Sequence, residues 1–456
     1  MRHRYYKILI ATLGILQAGI AGEHPQRVLL NGQSPLKPYY MWEEIQADQI
    51  QFPYINPMLE RQLSFEAPAN FYQRWHASKD IPLYFRLNSD SKYDNENKGL
   101  RQVFYGTALL RMTDQITLQN DFEFDSDGSL DDHYRGKKTE AFGDWTGYLQ
   151  QSSVSYTYDD GHIVVGRGNV FSSIMNSSIL INPDFPPAEH VWWHHDIKKL
   201  SFDWVIKSLA TVNDANRFLT FHRYAIEQPS WRLGFSEMVM VSYTTLAAPQ
   251  FRYLMPASFF YETEVNGGYN ANVAWNFDFM AKYKDYTFMG EFLVDDYALD
   301  GDTPPKLGLK LGMGHTGNYG NIYTEYVRIN RWTGNSFDLE LRYVENDVLI
   351  GSPIGPDAHA LKFQIFRQFS EQLYSNVSLR WIESGSGDIH EWPDGIGDSA
   401  DFGYGHEPFP SRPINSSYEA NLTLDYFANA RINSAVSIDI SSSRPPQLSF
   451  QLRLAL

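Results

Sequence analysis

The feature that most constrains the fold is the segment 448–456, Leu-Ser-Phe-Gln-Leu-Arg-Leu-Ala-Leu. Large apolar side chains occupy every second position, and small or polar ones lie between them. This period of two is that of a β-strand with one apolar face. In water such a strand would be an aggregation-prone edge, whereas a closed barrel that faces lipid requires this pattern. We therefore expect a transmembrane β-barrel.

The first residues have the pattern of a secretory signal peptide. Three cations precede an apolar stretch over residues 8–20, which is too short to span a bilayer as a helix. Small residues suited to cleavage follow at positions 18–22. We predict that residues 1–22 are a signal peptide; a retained N-terminal anchor is the alternative.

Alternating segments recur from Pro82 onward, and counting them gives about 19 candidate strands. Because bacterial single-chain barrels have an even number of strands, we expect about 18, with 16 as the alternative. The predicted fold is all-β: an antiparallel outer-membrane β-barrel over residues 81–456, preceded by an irregular periplasmic or plug segment over residues 23–80. A soluble β-sandwich or propeller is the competing fold. No repeat of propeller length is present in the sequence.

Strand counting also predicts which loops face outward. Residues 337–343 alternate and are taken as a strand. Counting back from the last strand then places the 385–416 loop outside the cell and residues 248–271 on the periplasmic side. That stretch is long for a periplasmic turn. Either a strand between residues 283 and 347 is misread, or residues 251–260 are themselves a strand.

Composition limits the function. The formal net charge of −16 argues against nucleic acid as a partner. A secreted chain without cysteine must be stabilised by a large core or a closed sheet. The mean hydropathy of −0.40 fits a barrel, because only every second strand residue needs to be apolar. The 29 Tyr and 11 Trp suit interfacial girdles and sugar-stacking surfaces.

Candidate metal and catalytic motifs are weak. His190, His194 and His195 follow two prolines and read as a polar, aromatic loop at an interface rather than a zinc site. Residues 123–128 resemble the start of a calcium loop, but Tyr134 stands where the bidentate carboxylate is needed. No Gly-x-Ser-x-Gly nucleophile elbow occurs. We expect no catalytic residues, no metal and no cofactor.

The middle third of the chain carries charged and polar side chains that are candidates for one network across the lumen. Charged groups inside a barrel must pair or meet water. The network either only fills and stiffens the barrel or binds a ligand directly. Its predicted members are Arg217, His222, Arg223, Glu237, Asp278, Glu291, Asp295 and Asp296.

Several short motifs follow one another along the chain, namely Val165–Asn169, Arg217–Arg223, Gly234–Glu237, Tyr253–Pro256, Asn272, Glu291–Asp296 and Gly355–Asp357. Their order resembles that of the capsule assembly Wzi family of outer-membrane proteins. The resemblance covers roughly residues 80–456. It implies an 18-stranded barrel that holds capsular or extracellular polysaccharide at the cell surface like a lectin, without catalytic residues.

The 385–416 loop is the candidate binding surface for polysaccharide. Aromatic rings stack on sugars, and carboxylates accept hydrogen bonds from hydroxyl groups. The alternative is an acidic loop that only deters close approach. The predicted binding residues are Trp392, Asp394, Phe402, Tyr404 and Phe409.

The expected function is therefore to bind or anchor polysaccharide and to assist capsule assembly. The alternative is a porin or sugar-uptake channel. A plugged lumen favours binding, and an open water column favours transport. The expected partners are polysaccharide and outer-membrane lipid, and the expected state is a monomer.

Overall fold

The computed structural model describes a long antiparallel sheet and the segments attached to it. The described residues are 83–94, 99–126, 128, 140–142, 145–168, 178–181, 185–228, 230–244, 248–256, 258–267, 271–296, 305–317, 320–346, 348–370, 373–390, 408–429, 432–443 and 446–455. The predicted signal peptide and the segment 23–80 lie outside the described residues. Every structural statement below concerns the described part of the chain.

The strands follow the chain in order. They are β1 (Leu83–Asp94), β2 (Gly99–Arg111), β3 (Ile116–Asp125), β4 (Glu140–Phe142), β5 (Trp145–Tyr158), β6 (Gly161–Gly168), β7 (Ala188–Ile197), β8 (Leu200–Val212), β9 (Ala215–Gln228), β10 (Trp231–Tyr243), β11 (Ala271–Tyr283), β12 (Tyr286–Asp296), β13 (Lys306–Gly317), β14 (Gly320–Ile329), β15 (Val344–Glu345), β16 (Val348–Leu349), β17 (Ala358–Gln368), β18 (Leu373–Ser384), β19 (Asn415–Asn429), β20 (Ile432–Ser441) and β21 (Gln447–Ala455). The helix α1 covers Phe260–Gly267, and short 3-10 helices cover Ala248–Leu254 and Leu339–Leu341.

The large sheet closes into a barrel. It contains 19 strands, and removing β4, which pairs only with β5, leaves 18 in the wall. Successive wall strands pair antiparallel, and β1 pairs with both β2 and β21. Closure removes the free edges that an open sheet of this length would expose. The predicted fold class and the number of 18 strands are confirmed. No described helix is long and apolar enough to cross a membrane.

The outer wall of the barrel is apolar. In β21, Leu448 and Phe450 are 52% and 48% exposed, whereas Ser449 between them is buried. Phe277 and Phe292 extend the same exposed surface on β11 and β12. At the short-turn end of the wall, Trp193 Nε1 donates to the Tyr158 hydroxyl at 2.9 Å. Exposed apolar side chains with an aromatic border are typical of a wall that faces lipid.

The two ends of the barrel differ in the length of their connections. Residues 159–160, 198–199 and 284–285 are short turns at one end, which we call the short-turn end. At the opposite end, which we call the long-loop end, the connections contain more residues. They include residues 244–270 and the 385–416 loop. Outer-membrane barrels have short periplasmic turns and longer extracellular loops.

The predicted strand at residues 337–343 is wrong. The segment contains the 3-10 helix Leu339–Leu341, and Leu341 and Tyr343 are buried among side chains that face the lumen. Its apolar side chains do not share one environment, because Phe337 and Leu339 are exposed whereas Leu341 and Tyr343 pack into the core, so the alternation in sequence does not mark a wall strand. Without this strand, the count places residues 248–271 at the long-loop end, so their predicted periplasmic position is also wrong.

An arginine on the outer wall should be costly. Phe363 lies midway along β17 on the lipid-facing side, and Phe363→Arg should lower the free energy of unfolding by about 2–4 kcal/mol. The matched control is Ser378→Arg, whose register neighbours are Gln364 and Asn421 on the lumen side. Urea unfolding in lipid vesicles, followed by heat-modifiable gel migration, measures both. Equal effects would contradict the assignment of the two faces.

Candidate functional site at the long-loop end

Protein fills part of the lumen at the long-loop end. Residues 178–181 and 330–357 fold inward and form one apolar core with the lumen side of β6–β12 and β14. Residues 385–390 join them, because Ile389 is buried and lines the same small cavity as Ile179 and Tyr343. That cavity measures about 30 Å³, room for about one or two waters. The core residues include Ile179, Leu180, Leu219, Phe221, Met238, Met240, Leu293, Ile329, Leu341, Tyr343 and Ile350.

Arg217 holds the inward segment in place. Its guanidinium donates to the carbonyl oxygens of Glu340, Arg342 and Val344 at 2.7, 3.0 and 2.8 Å. It also lies 3.4 Å from a carboxylate oxygen of Glu345. Burial raises the pKa of the Glu345 carboxyl, while the amide N–H of residue 210 and the Arg217 charge oppose that shift. One rigid donor fork therefore satisfies several carbonyls at the end of a short helix.

Two acids on β12 anchor the inward segments from the other side. Glu291 accepts hydrogen bonds from the Ile179 amide at 2.9 Å and from the Ser178 hydroxyl at 3.3 Å. Asp295 accepts one from the Gly334 amide at 2.8 Å. Buried carboxylates that accept backbone N–H groups fix the chain that donates them. The wall and the two inward segments are thus held together by charged groups.

Arg223 and Asp278 form a buried pair that crosses a strand. The guanidinium of Arg223 on β9 reaches the carboxylate of Asp278 on β11, at 3.0 Å from Nε and 2.6 Å from Nη2. Gly234 on β10 lies between them. A Cβ at this position would lie 2.2 Å from Arg223 Nη2 and 2.3 Å from an Asp278 carboxylate oxygen. The pair passes over β10 only because residue 234 has no side chain.

His222 and Glu237 lie on the opposite face of the wall from Arg223. Their face packs against residues 248–267, which we call the outer-wall segment. Glu237 accepts hydrogen bonds from the amides of Phe260 and Tyr261 at 2.8 and 3.0 Å and from Trp275 Nε1 at 2.9 Å. His222 Nε2 is 3.1 Å from the same carboxylate. This pair therefore holds a segment on the outside of the barrel, away from the lumen.

The eight predicted lumen residues thus divide among several places. Arg217, Glu291 and Asp295 hold the inward segments, and Arg223 pairs with Asp278 in the wall. His222 and Glu237 are outside. The backbone of Asp296 ends β12, and its side chain lies outside the described residues.

Asp357 fixes both stems of the 385–416 loop. The residue is 1% exposed, and its carboxylate accepts hydrogen bonds from the amides of Gly387 and Ser411 at 2.9 and 3.0 Å. The Ser411 hydroxyl also donates to it, and the Asp357 carbonyl accepts the Gly385 amide at 2.8 Å. Sequence reasoning did not assign this role to Asp357. The Gly-Pro-Asp turn that ends at this residue was the available signal.

Phe409 is the predicted sugar-binding residue that the structure describes. Its ring lies on the outer side of the rim, with the Arg328 guanidinium 3.8 Å from the ring centroid and the His359 ring at 5.7 Å. His359 in turn lies 3.0 Å from a Glu383 carboxylate oxygen. Trp392, Asp394, Phe402 and Tyr404 lie outside the described residues, so their role in binding stays a prediction.

The histidine motif is a barrel strand, and its predicted position in a loop is wrong. His194 on β7 points into the lumen, with Nδ1 2.9 Å from an Asp203 carboxylate oxygen. His195 points outward and stacks with Tyr158. The alternation of β7 is hard to recognise in the sequence, because bulky rings lie on both faces of the strand. In the described part of the chain, no group of three or more His, Asp or Glu side chains could hold a metal ion.

The closed barrel, its apolar outer wall and its aromatic border define an outer-membrane β-barrel. No family model matches the chain. No curated protein matches it in sequence. Among solved structures it is similar to Wzi of Escherichia coli, an outer-membrane protein involved in group 1 capsule assembly that is described as a carbohydrate-binding β-barrel. The TM-score is 0.60 and the identity 9%, over 94% of this chain and 99% of Wzi.

Two solved structures of Pseudomonas aeruginosa proteins also match. OprD has a TM-score of 0.45 and 10% identity, over 83% of this chain and 95% of its own. OccK8 (OprE) has a TM-score of 0.47 and 8% identity, over 83% of this chain and 98% of its own. At 9% identity, the likeness to Wzi establishes the fold alone.

Proposed function

We propose that the protein binds a capsular or extracellular polysaccharide at the cell surface, assists its assembly into a capsule, and catalyses no reaction. The observation that carries this proposal is the apolar core inside the lumen at the long-loop end. A barrel that fills this part of its lumen with packed side chains is suited to holding loops in place. The similarity to Wzi, a carbohydrate-binding barrel, supports the same function.

The proposed recognition surface is the 385–416 loop. Asp357 ties its stems to the inward segment 330–357, and Arg217 ties that segment to the wall. Loops on a rigid scaffold are common binding surfaces, because little conformational entropy is lost on binding. The predicted aromatic residues of the loop would stack on sugar rings, and its carboxylates would accept hydroxyl hydrogen bonds.

Passage of small solutes is the second candidate. One observation favours it: the lumen side of the wall around β3 and β17–β20 is polar. Gln364 donates to Asn376 at 2.9 Å, and Asn421 donates to Asp439 at 2.7 Å. Polar walls of this kind line water-filled barrels.

Conductance separates the two functions. In a planar bilayer we expect small or no steady currents from the wild type, because residues 178–181 and 330–357 occupy part of the lumen. Replacing residues 335–352 by a short Gly-Ser linker should raise the conductance severalfold. Large, steady wild-type currents that this replacement leaves unchanged would favour a channel.

Polysaccharide retention tests the proposed function directly. Deleting the protein should leave polysaccharide synthesis intact and release the product into the medium. Shortening the 385–416 loop to a Gly-Ser turn should have the same effect while the barrel still assembles, because the strands carry folding. The control shortens residues 129–139, which lie in sequence between β3 and β4. Salt should weaken binding only modestly, since stacking and hydrogen bonds are screened little.

The measurement compares the amount of polysaccharide that stays bound to the cells with the amount that is shed into the medium. If both variants keep wild-type amounts on the surface while uptake of a small solute falls, the protein is a channel and the proposal is wrong.

A further inference from the structure

The outer-wall segment presents a second surface that the proposed function does not use. On its inner side, Tyr253 and Phe260 are fully buried against Phe218, Val239 and Val273 of the barrel wall. These wall residues belong to the lipid-facing side, because Arg217, Met238 and Ala274, next to them in sequence, face the lumen. The segment therefore lies outside the barrel, on the surface that faces the membrane.

The outer side of this segment is apolar and uncovered. Its exposed apolar side chains are Phe251, Met255, Phe259, Tyr261 and Val265, which are 47% to 65% exposed. Contiguous exposed apolar surface marks a contact with a partner or with a membrane. The exposed apolar surface continues directly below the segment at Leu233 and Phe277 on β10 and β11.

The segment reaches down to membrane depth. Glu237, which accepts the Phe260 and Tyr261 amides, lies at the midpoint of β10, between Trp231 and Tyr243. With a rise of about 3.4 Å per residue and a tilt of about 40°, the midpoint of this strand lies roughly 15 Å below its upper end. The apolar band of such barrels is about 25 Å tall. The start of α1 therefore lies near the middle of that band, and Tyr253 and Phe260 pack with Val239 and Val241, which lie on the half nearer the long loops.

Glu237 supplies a second, independent reason for the segment's position. A carboxylate at mid-height on the lipid side would otherwise face acyl chains. The segment covers it with two backbone amides, and Trp275 and His222 provide further polar contacts. Glu237 is 1% exposed as a result. The segment thus covers a charged side chain on the wall and presents an apolar surface on its own outer side.

We propose that the outer-wall segment is a membrane anchor in the outer leaflet, with its exposed apolar side chains in contact with lipid acyl chains. The contact adds apolar area to one sector of the barrel, at β9–β11, and fixes the depth at which that sector sits. The occupant is lipid because the surface is continuous with the lipid-facing wall and lies at the same depth.

Site-directed spin labelling tests the proposal, and the absence of cysteine makes single labels simple to place. Nitroxides at Phe259→Cys and Val265→Cys are compared in lipid vesicles with Phe277→Cys on the lipid-facing wall and Ser443→Cys in an exposed turn. We expect the ratio of oxygen to nickel-chelate accessibility at the two segment positions to match Phe277 and to exceed Ser443 severalfold.

Two results would overturn the proposal. Nickel-chelate accessibility equal to that at Ser443 would place the segment in water. Low accessibility to both reagents, rising when the protein is diluted in lipid, would show that a second copy covers it. Heat-modifiable migration of each labelled variant confirms that the barrel has assembled. No polysaccharide is present, so the outcome is independent of the proposed binding function.

Discussion

Replacing Arg223 with methionine should destabilise the barrel by about 3–5 kcal/mol, because Asp278 would keep a buried carboxylate without its cation. Both side chains are almost fully buried, and the guanidinium makes bidentate contact with the carboxylate. Removing one partner leaves the other charge buried and unpaired, so its desolvation is no longer offset. The double variant Arg223→Met with Asp278→Leu should recover most of the loss, since no unpaired charge remains.

Urea unfolding of vesicle-inserted protein measures this effect. Arg380→Met is the matched control, because Arg380 pairs with Glu419 through side chains that are 26% and 46% exposed. Ion pairs of that kind contribute about 0–1 kcal/mol. If Arg223→Met and Arg380→Met lower the free energy of unfolding equally, Arg223 is solvated in the membrane-inserted protein and the pair is not buried as described.

Asp357→Ala should reduce polysaccharide binding at least tenfold while leaving the barrel assembled. The substitution removes the acceptor of the Gly387 and Ser411 amides and of the Ser411 hydroxyl. Each buried donor left without a partner costs about 1–3 kcal/mol, so both stems of the 385–416 loop should detach. Asp357→Asn should be milder, since it keeps an acceptor oxygen and tolerates the positive φ of 55° at this position better than alanine.

Limited proteolysis and a binding assay on purified polysaccharide measure the two consequences. We expect cleavage within the 385–416 loop to be fastest in Asp357→Ala, slower in Asp357→Asn and slowest in the wild type. The loss of polysaccharide binding should follow the same order. Asp439→Ala, which removes a lumen hydrogen bond to Asn421, is the control and should change neither. Unchanged loop cleavage in Asp357→Ala would show that other contacts hold the stems.

The fold could be predicted from sequence because a wall strand that faces lipid on one side and the lumen on the other alternates apolar with small or polar side chains. Leu448, Ser449 and Phe450 obey that rule, and so does the closed set of 18 strands. The rule failed where the chain leaves the wall. Residues 337–343 alternate in sequence as a strand does, but they contain a short 3-10 helix, with Leu339 exposed and Leu341 and Tyr343 buried in the core.

The candidate site could be predicted only in part, because a period of two separates faces without saying what covers them. Arg217 and Glu291 face the lumen as expected. His222 and Glu237 are also charged or polar, but the outer-wall segment covers them on the lipid side. A packed cover of this kind is a tertiary contact, and one strand's sequence carries no signal of it. The stem contacts of Asp357 were missed for the same reason.

The glycine at position 234 has a consequence for assembly. The Arg223–Asp278 pair joins two strands that are not neighbours, and it fits only where β10 offers no side chain. A slip of β10 by one residue would bring Leu233 or Phe235 to that place and would also reverse its two faces. The pair therefore forms only after three consecutive strands are correctly aligned. Native pairing in this sector is thereby coupled to neutralisation of a charge inside the membrane.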